Sequence, residues 1–316
     1  MPKWTESPAR ETSIAVLIFD RFSNLCLANC IEPLRAANSF ARNPAYLWQF
    51  ASLDGGPVRS SSGMSVTPDS PLEDLPRVDL LMILSSYDHL RHDSPRTRRA
   101  LRRAAGRAKQ VAGFDSAPWL MASAGLLQGR RATLHTELYT AFSERFLDVT
   151  LLDDPVVEDG DRITCAGAQA AFDLSRRFVV RDLGQAAGVD LDALFLTGRP
   201  QHTSARAMPG DAMVGRAIAL MRSSLDTPRP LSEIAAQLGV TQRTLARRCQ
   251  AALGTSPGTL YRHLRLSAAR QMVEGGMLPV SEIALLSGYE DPAALTRAFR
   301  RRFCTTPQAL RREISA

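Results

Sequence analysis

"LSEIAAQLGVTQRTLARRCQAALGTSP" (231–257) is answered about 49 residues later by "VSEIALLSGYEDPAALTRAFRRRFCTTP" (280–307). In the first copy Ile234, Ala235 and Leu238 form an apolar stripe at helical spacing, with Ser232 expected to cap the helix. The stripe stops at Gly239, and at Gly288 in the second copy, where glycine admits the left-handed backbone of a tight turn. Thr241 then caps a second helix, and Pro292 suits the first turn of its counterpart. Leu245 points inward, with Gln242, Arg243, Ala246 and Arg247 on the other side. Between the copies "YRHLRLSAARQMVEG" reads as one joining helix, with Leu264, Ala268 and Met272 on a single stripe. A duplicated helix–turn–helix strung on one helix commits the last third of the chain to an all-α domain.

The charge sits with the repeat. Residues 211–316 hold 15 Arg and no Lys against 8 acids, which accounts for the whole net charge of +7. The 24 basic and 24 acidic residues before them cancel. A basic domain beside a neutral one predicts a polyanion partner for the basic part alone. A solvated arginine-rich face is the alternative.

The first half has a different rhythm. "SIAVLIFD" (13–20), "WQFASLD" (48–54), "DLLMILSS" (79–86) and "QVAGFD" (110–115) are short apolar runs suited to buried strands of a mostly parallel sheet. Helices are expected near 24–40, 95–108, 117–127 and 168–180, and shorter strands near 131–135, 149–153 and 161–166. This pattern predicts a flavodoxin-like α/β sandwich over residues 12–182. Residues 183–210, ending in "TGRPQHTSARAMPGD", read as a linker, and 211–316 as the all-α domain. No run approaches the ~20 apolar residues of a membrane span. The polar start "MPKWTESPARETS" is unlike a secretory signal, and the five cysteines form no CxxC pair. We therefore expect a cytoplasmic protein without metal or other cofactor.

In "VAGFDSAPWLMASAGLL" (111–127) an apolar run reaches Gly-Phe-Asp-Ser-Ala and turns at once into a helical pattern. A strand that delivers a reactive side chain to a sharp elbow has this form, yet the tip is Asp115. Ser116 is a poor substitute nucleophile, because the acid beside it is a weak base.

The duplicated hairpins resemble the AraC/XylS family of transcription regulators over residues 211–312. The resemblance implies that both second helices enter successive major-groove segments on one face of double-stranded DNA. It assigns base reading to Arg243, Ala246 and Arg247 in the first unit and to Ala293, Thr296 and Arg297 in the second. Thr241 and Gln242 lie at the same DNA-facing helix start. Arginine suits the task because its fork pairs with guanine O6 and N7, although each arginine has phosphate contact as its alternative. Cys304 stands where the family has glycine after the last reading helix. A homodimer, an activator and contact with RNA polymerase are expected of such a regulator, although the sequence itself leaves the sign of regulation and the oligomeric state open.

"FSNLCLANCIEPLRAAN" (22–38), "GFDSAPWLMASAGLLQGRRATLH" (113–135) and "ITCAGAQAAFDL" (163–174) resemble the sensor half of GlxA-type regulators. That half is a PfpI/ThiJ-like domain, similar to class I glutamine amidotransferases. The resemblance places Asp115 where the enzymes carry their cysteine, Glu32 at the first-helix glutamate, and His135 in a pair whose Trp is here Thr136. It implies a catalytically dead pocket for a small effector, an amino acid or a quaternary ammonium compound. We expect Glu32 and Asp115 to face a ligand cation, Trp119 to add cation–π attraction, and the amides of Ser116 and Ala117 to take a carboxylate. Helix capping by Asp115 and a structural role for His135 are the plainer readings. Two other functions stand against the sensor: an amidase- or hydrolase-like enzyme with a DNA-binding tail, and a regulator whose first domain only dimerises.

Overall fold

The computed structural model of the chain describes residues 3–5, 10–41, 44–195 and 211–315. The chain divides after Asp182 into two compact units, the second of which also takes in the N-terminal residues.

The first unit is an α/β sandwich around one seven-stranded sheet. Its strands are β1 (Thr12–Ile18), β2 (Tyr46–Ser52), β3 (Ser70–Pro71), β4 (Val78–Ser85), β5 (Ala108–Asp115), β6 (Val156–Asp159) and β7 (Arg162–Cys165). Their order is β6-β7-β5-β4-β1-β2-β3, and every pairing is parallel except the β6–β7 hairpin. The sequence reading missed β3 and β6, which are short and border loops. Gly160, at φ 64°, makes the tight turn between β6 and β7.

Alternation along the strands divides the core. Ala15, Leu17, Leu81, Ile83 and Val111 pack in one cluster with Leu101, Trp119, Leu120, Met121 and Phe142. Those partners come from α2 (Pro95–Ala105), α3 (Ala117–Ser123) and α4 (Tyr139–Arg145). Ile14, Val16 and Met82 are buried toward the other side of the pleat. The remaining helices, α1 (Asn24–Phe40) and α5 (Ala168–Leu183), are tied to each other. Asn29 Nδ2 donates to the Ala168 carbonyl at 2.7 Å and Ser175 Oγ to the Cys30 carbonyl at 2.9 Å.

The second unit is all helix: α6 (Gln185–Phe195), α7 (Asp211–Arg222), α8 (Leu231–Gln237), α9 (Gln242–Leu253), α10 (Pro257–Glu274), α11 (Val280–Leu286), α12 (Pro292–Phe303) and α13 (Pro307–Ser315). It has two cores on one spine. Leu260, Tyr261 and Leu264 of α10 join Val214, Ile234, Leu245 and Cys249. Leu266, Ala269 and Val273, further along α10, join Ile283, Leu295 and Phe299.

Two expectations need correction here. Residues 185–195, read as linker, are α6. Its first amides, Gln185 N and Ala186 N, donate to the carbonyls of Lys3 and Trp4 at 2.9 and 2.8 Å. Asp190, buried beneath α10, takes His263 Nε2 at 2.9 Å and Ser267 Oγ at 2.7 Å. The rest of the expected linker, 196–210, lies outside the described residues. Ser232, expected as a cap, lies inside α8, whose cap position is Pro230 and carries no side-chain hydrogen bond.

Candidate functional sites: the elbow and the reading helices

The parallel pairing of β4 with β5 runs to Ser85 and Asp115, and Cys165 of β7 lies opposite Phe114. Three strands therefore end together, and ligands of open α/β sheets bind at such carboxyl ends. Asp115 turns the chain there in a left-handed conformation, φ 61°, that is strained for a residue with a Cβ. Gly113 lets α3 start immediately behind the strand, because a Cβ there would collide with Met121.

The Asp115 carboxylate accepts a hydrogen bond from Ser86 Oγ at 2.7 Å. It has no basic side chain in ion-pair reach among the described residues. Burial raises its pKa above the usual carboxylate range, while the Ser86 bond and the nearby His135 ring pull it back down. The His135 amide donates to the Asp115 carbonyl at 3.1 Å, which seats His135 beside the elbow. Beneath lies a group of buried thiols, Cys26, Cys30 and Cys165. Burial pushes the Cys30 and Cys165 thiols up, so they stay protonated and unreactive at neutral pH.

The other predicted residues sit elsewhere or are engaged. Glu32 lies on the surface of α1 and pairs with Arg35 at 2.7 Å, one turn along its own helix. No described contact brings it to Asp115. Ser116 turns inward: its hydroxyl donates to the Ser86 carbonyl at 2.7 Å, and its amide donates to the Ser85 carbonyl at 3.1 Å. That amide is spent on extending the sheet, so it does not face a ligand. Ala117 is fully buried at the first position of α3. Trp119 is a core residue, edge-on to His89, Phe142 and Phe146, and its ring already has the Arg145 guanidinium at 5.9 Å. The helix needs no cap from Asp115, whose carboxylate is given to Ser86. Ser86 itself was missed, although the Ser-Ser closing the apolar run 79–86 marks the carboxyl end of a central strand.

A cavity of about 250 Å³ opens at the opposite end of the sheet, lined by Arg10, Asp79, Lys109 and Arg181 among others. Its cations are already engaged, Arg10 and Lys109 with Asp79, and Arg181 with Asp182.

On the second unit, the predicted DNA-facing residues share the outer sides of α9 and α12. Thr241 Oγ1 caps α9 by accepting from Thr244 N at 3.1 Å, and Asp291 caps α12 through Ala294 N at 2.7 Å. Leu245 and Leu295 are buried, whereas Gln242, Arg243, Ala246, Arg247, Ala293 and Arg297 are exposed. Arg243, Arg247 and Arg297 make no hydrogen bond or ion pair with any described residue, which leaves their guanidinium groups to an outside partner. Thr296 is different: its hydroxyl donates to the Pro292 carbonyl at 2.7 Å, leaving only acceptor capacity outward.

Together these features define a class: a regulator joining an elbow-type α/β domain to a double helix-turn-helix reader. Residues 12–181 match the DJ-1/PfpI family, and residues 234–313 match a helix-turn-helix domain family. The HTH-type transcriptional regulator CdhR of Pseudomonas aeruginosa is 33% identical over 92% of this chain and 89% of its own length. The regulator GlxA of Rhizobium meliloti is 30% identical over 95% of both. A THiJ/PfpI family protein from Pseudomonas syringae superposes with a TM-score of 0.53 at 17% identity, over 80% of this chain and 91% of that one. The chain belongs to the DJ-1/PfpI family in its first half and, as a whole, to the HTH-type transcriptional regulators of the AraC and GlxA kind. It is a DNA-binding transcription regulator, as those curated relatives are. No helix among the described residues is long and apolar enough to cross a membrane.

Proposed function

We propose that the protein regulates transcription in response to a small amine-bearing metabolite recognised at the elbow. One observation carries this reading. Asp115 is a half-buried carboxylate at the carboxyl ends of three strands, on a strained backbone, with no Lys or Arg in ion-pair reach among the described residues. Burying such a charge is costly unless it is paired, and a ligand ammonium supplies the pair. Ser86 and His135 complete the contact set, in place of the Glu32 and Trp119 expected from sequence. On the DNA side, Arg243, Ala246, Arg247, Ala293, Thr296 and Arg297 read bases, and Thr241 and Gln242 lie against the same groove. The protein works in the cytoplasm as a homodimer that activates transcription through RNA polymerase.

Asp115→Asn keeps size and hydrogen bonding but removes the charge. In a thermal-shift and calorimetric screen of amino acids, polyamines and betaines, the parent should be stabilised by an amine-bearing compound. Asp115→Asn should fold and bind DNA as the parent does, yet lose about tenfold or more in affinity for that compound, as expected for a charge-assisted contact. The sign of the pH dependence follows from the raised pKa. The cation binds the ionised carboxylate, so affinity should fall as pH drops through the pKa of Asp115 in the free protein. Equal affinity in both proteins would reduce Asp115 to a conformational element. A screen in which nothing stabilises the parent would favour a domain that only dimerises.

A further inference from the structure

The two helix-turn-helix copies are alike in sequence, but their turns meet different surroundings. A Cβ added to Gly239 in the first turn would meet nothing within 4 Å. A Cβ added to Gly288 in the second would lie 2.5 Å from the Leu225 carbonyl oxygen and 2.5 Å from Pro228 Cγ. The second turn is therefore pressed against the segment that leads into the first unit. That segment is itself anchored to α10: Arg229 N donates to the Tyr261 hydroxyl at 3.2 Å, and Tyr261 donates to the Ser224 carbonyl at 2.8 Å.

Arg265 of α10 closes the contact from the other side. Its Nε donates to the Ser287 carbonyl at 2.7 Å, and a terminal nitrogen donates to the Gly288 carbonyl. Its guanidinium carbon stands 4.4 Å from the centre of the Tyr289 ring. These carbonyls close α11 and have no partner within the helix, so the fork both satisfies them and fixes the angle between α10 and α11. Among the described residues, no side chain holds the carbonyls of the first turn in this way.

We propose that Arg265, with Gly288 seated on the Leu225–Pro228 segment, is a positioning clasp that sets the interval between the two reading helices. It thereby sets the spacing of DNA segments that the protein accepts. Arg265 acts through the turn and touches no base. The inference rests on both α9 and α12 reading the same duplex. One inserted base pair turns one DNA segment by roughly a tenth of a helical turn relative to the other. A rigid reader must then strain or release a segment, whereas a hinged reader can follow it.

The experiment uses the full-length protein and a duplex selected by the parent from random DNA. Binding is measured to that duplex and to versions with one base pair added or removed between the two protected segments. The parent should lose about tenfold or more on each altered spacing, comparable to losing one base-specific contact. Arg265→Met keeps an apolar stem while removing both hydrogen bonds and the charge. It should bind the selected duplex more weakly but lose less than about threefold further when the spacing changes, with base preferences inside each segment unaltered. Arg265→Lys, which retains the charge but cannot bridge both carbonyls with a planar fork, should fall between, and it serves as the readout should Arg265→Met fail to fold. If the parent itself is indifferent to spacing, the two-helix reading fails and the clasp falls with it. A folded variant that keeps the parent's full spacing penalty overturns the clasp alone, as does uniform weakening on every duplex.

Discussion

The two helix-turn-helix units are built to one plan from unequal materials. The first draws on five elements: its core takes in α7, α8, α9 and the start of α10, and Val189 of α6 packs with them. The second has a smaller core on the far half of α10, centred on Phe299, whose ring lies 4.6 Å from that of Phe303. The reading helices also end differently. Both α9 and α12 close on a left-handed residue, Gly254 at φ 70° and Cys304 at φ 59°. Only α12 carries arginines, Arg300, Arg301 and Arg302, in its last turn, where cations oppose the helix dipole. The same backbone thus tolerates a poorer cap where neighbouring charges compensate. The difference predicts that the second unit is the weaker and more dependent of the two.

The largest expected effect tests that dependence. Phe299→Ala should cost about 3–5 kcal/mol, since a fully buried aromatic leaves a cavity that a small core cannot close. Native-state hydrogen exchange should show the loss concentrated in residues 280–315, with α7 to α9 protected as before. A loss spread evenly over both units would mean that α10 makes them one cooperative body, and the comparison would lose its meaning.

A smaller effect separates the two reading surfaces. Arg243→Ala and Arg297→Ala should each cost about 1–3 kcal/mol on the selected duplex and relax preference at one base pair. Thr296→Ala should cost less than either, because the Thr296 hydroxyl is already donated to Pro292. Binding that weakens alike on all sequences would assign both arginines to phosphates.

What the sequence disclosed follows the same division. Periodicity and turn residues foretold α9, α12, the Thr241 cap and the central strands, because each depends on residues a few positions apart. The capping role of Ser232 failed because α8 starts at Leu231, with the cap position at Pro230, two residues earlier. The linker composition of "TGRPQHTSARAMPGD" hid α6, and the partners that order the helix, Trp4 and His263, are distant in the chain. At the elbow, the strained position of Asp115 was legible from the strand–turn–helix pattern. Its surroundings were not. Glu32 has Arg35 three residues on, and a local ion pair competes directly with a long-range pocket contact. Ser86 directly follows a different strand, β4, so only the sheet order places it against Asp115.

The smallest effect is the most direct probe of the unequal caps. A residue with a Cβ in the left-handed region pays a steric cost that glycine avoids. Cys304→Gly should therefore raise the stability of the second unit by about 0.5–1 kcal/mol, and Gly254→Ala should lower that of the first by about 1 kcal/mol. Both are read as shifts in the denaturation midpoint at constant slope. DNA affinity should not change with Cys304→Gly, because Cys304 lies a full two turns beyond Arg297, past the end of α12. The thiol is exposed, so its loss removes no core packing that would offset the gain. Stabilisation by Cys304→Gly together with destabilisation by Gly254→Ala would place the inequality in the caps themselves. If Cys304→Gly leaves the midpoint where it was, the arginines of the last turn already offset the strain completely, and the weakness of the second unit must come from its smaller core alone.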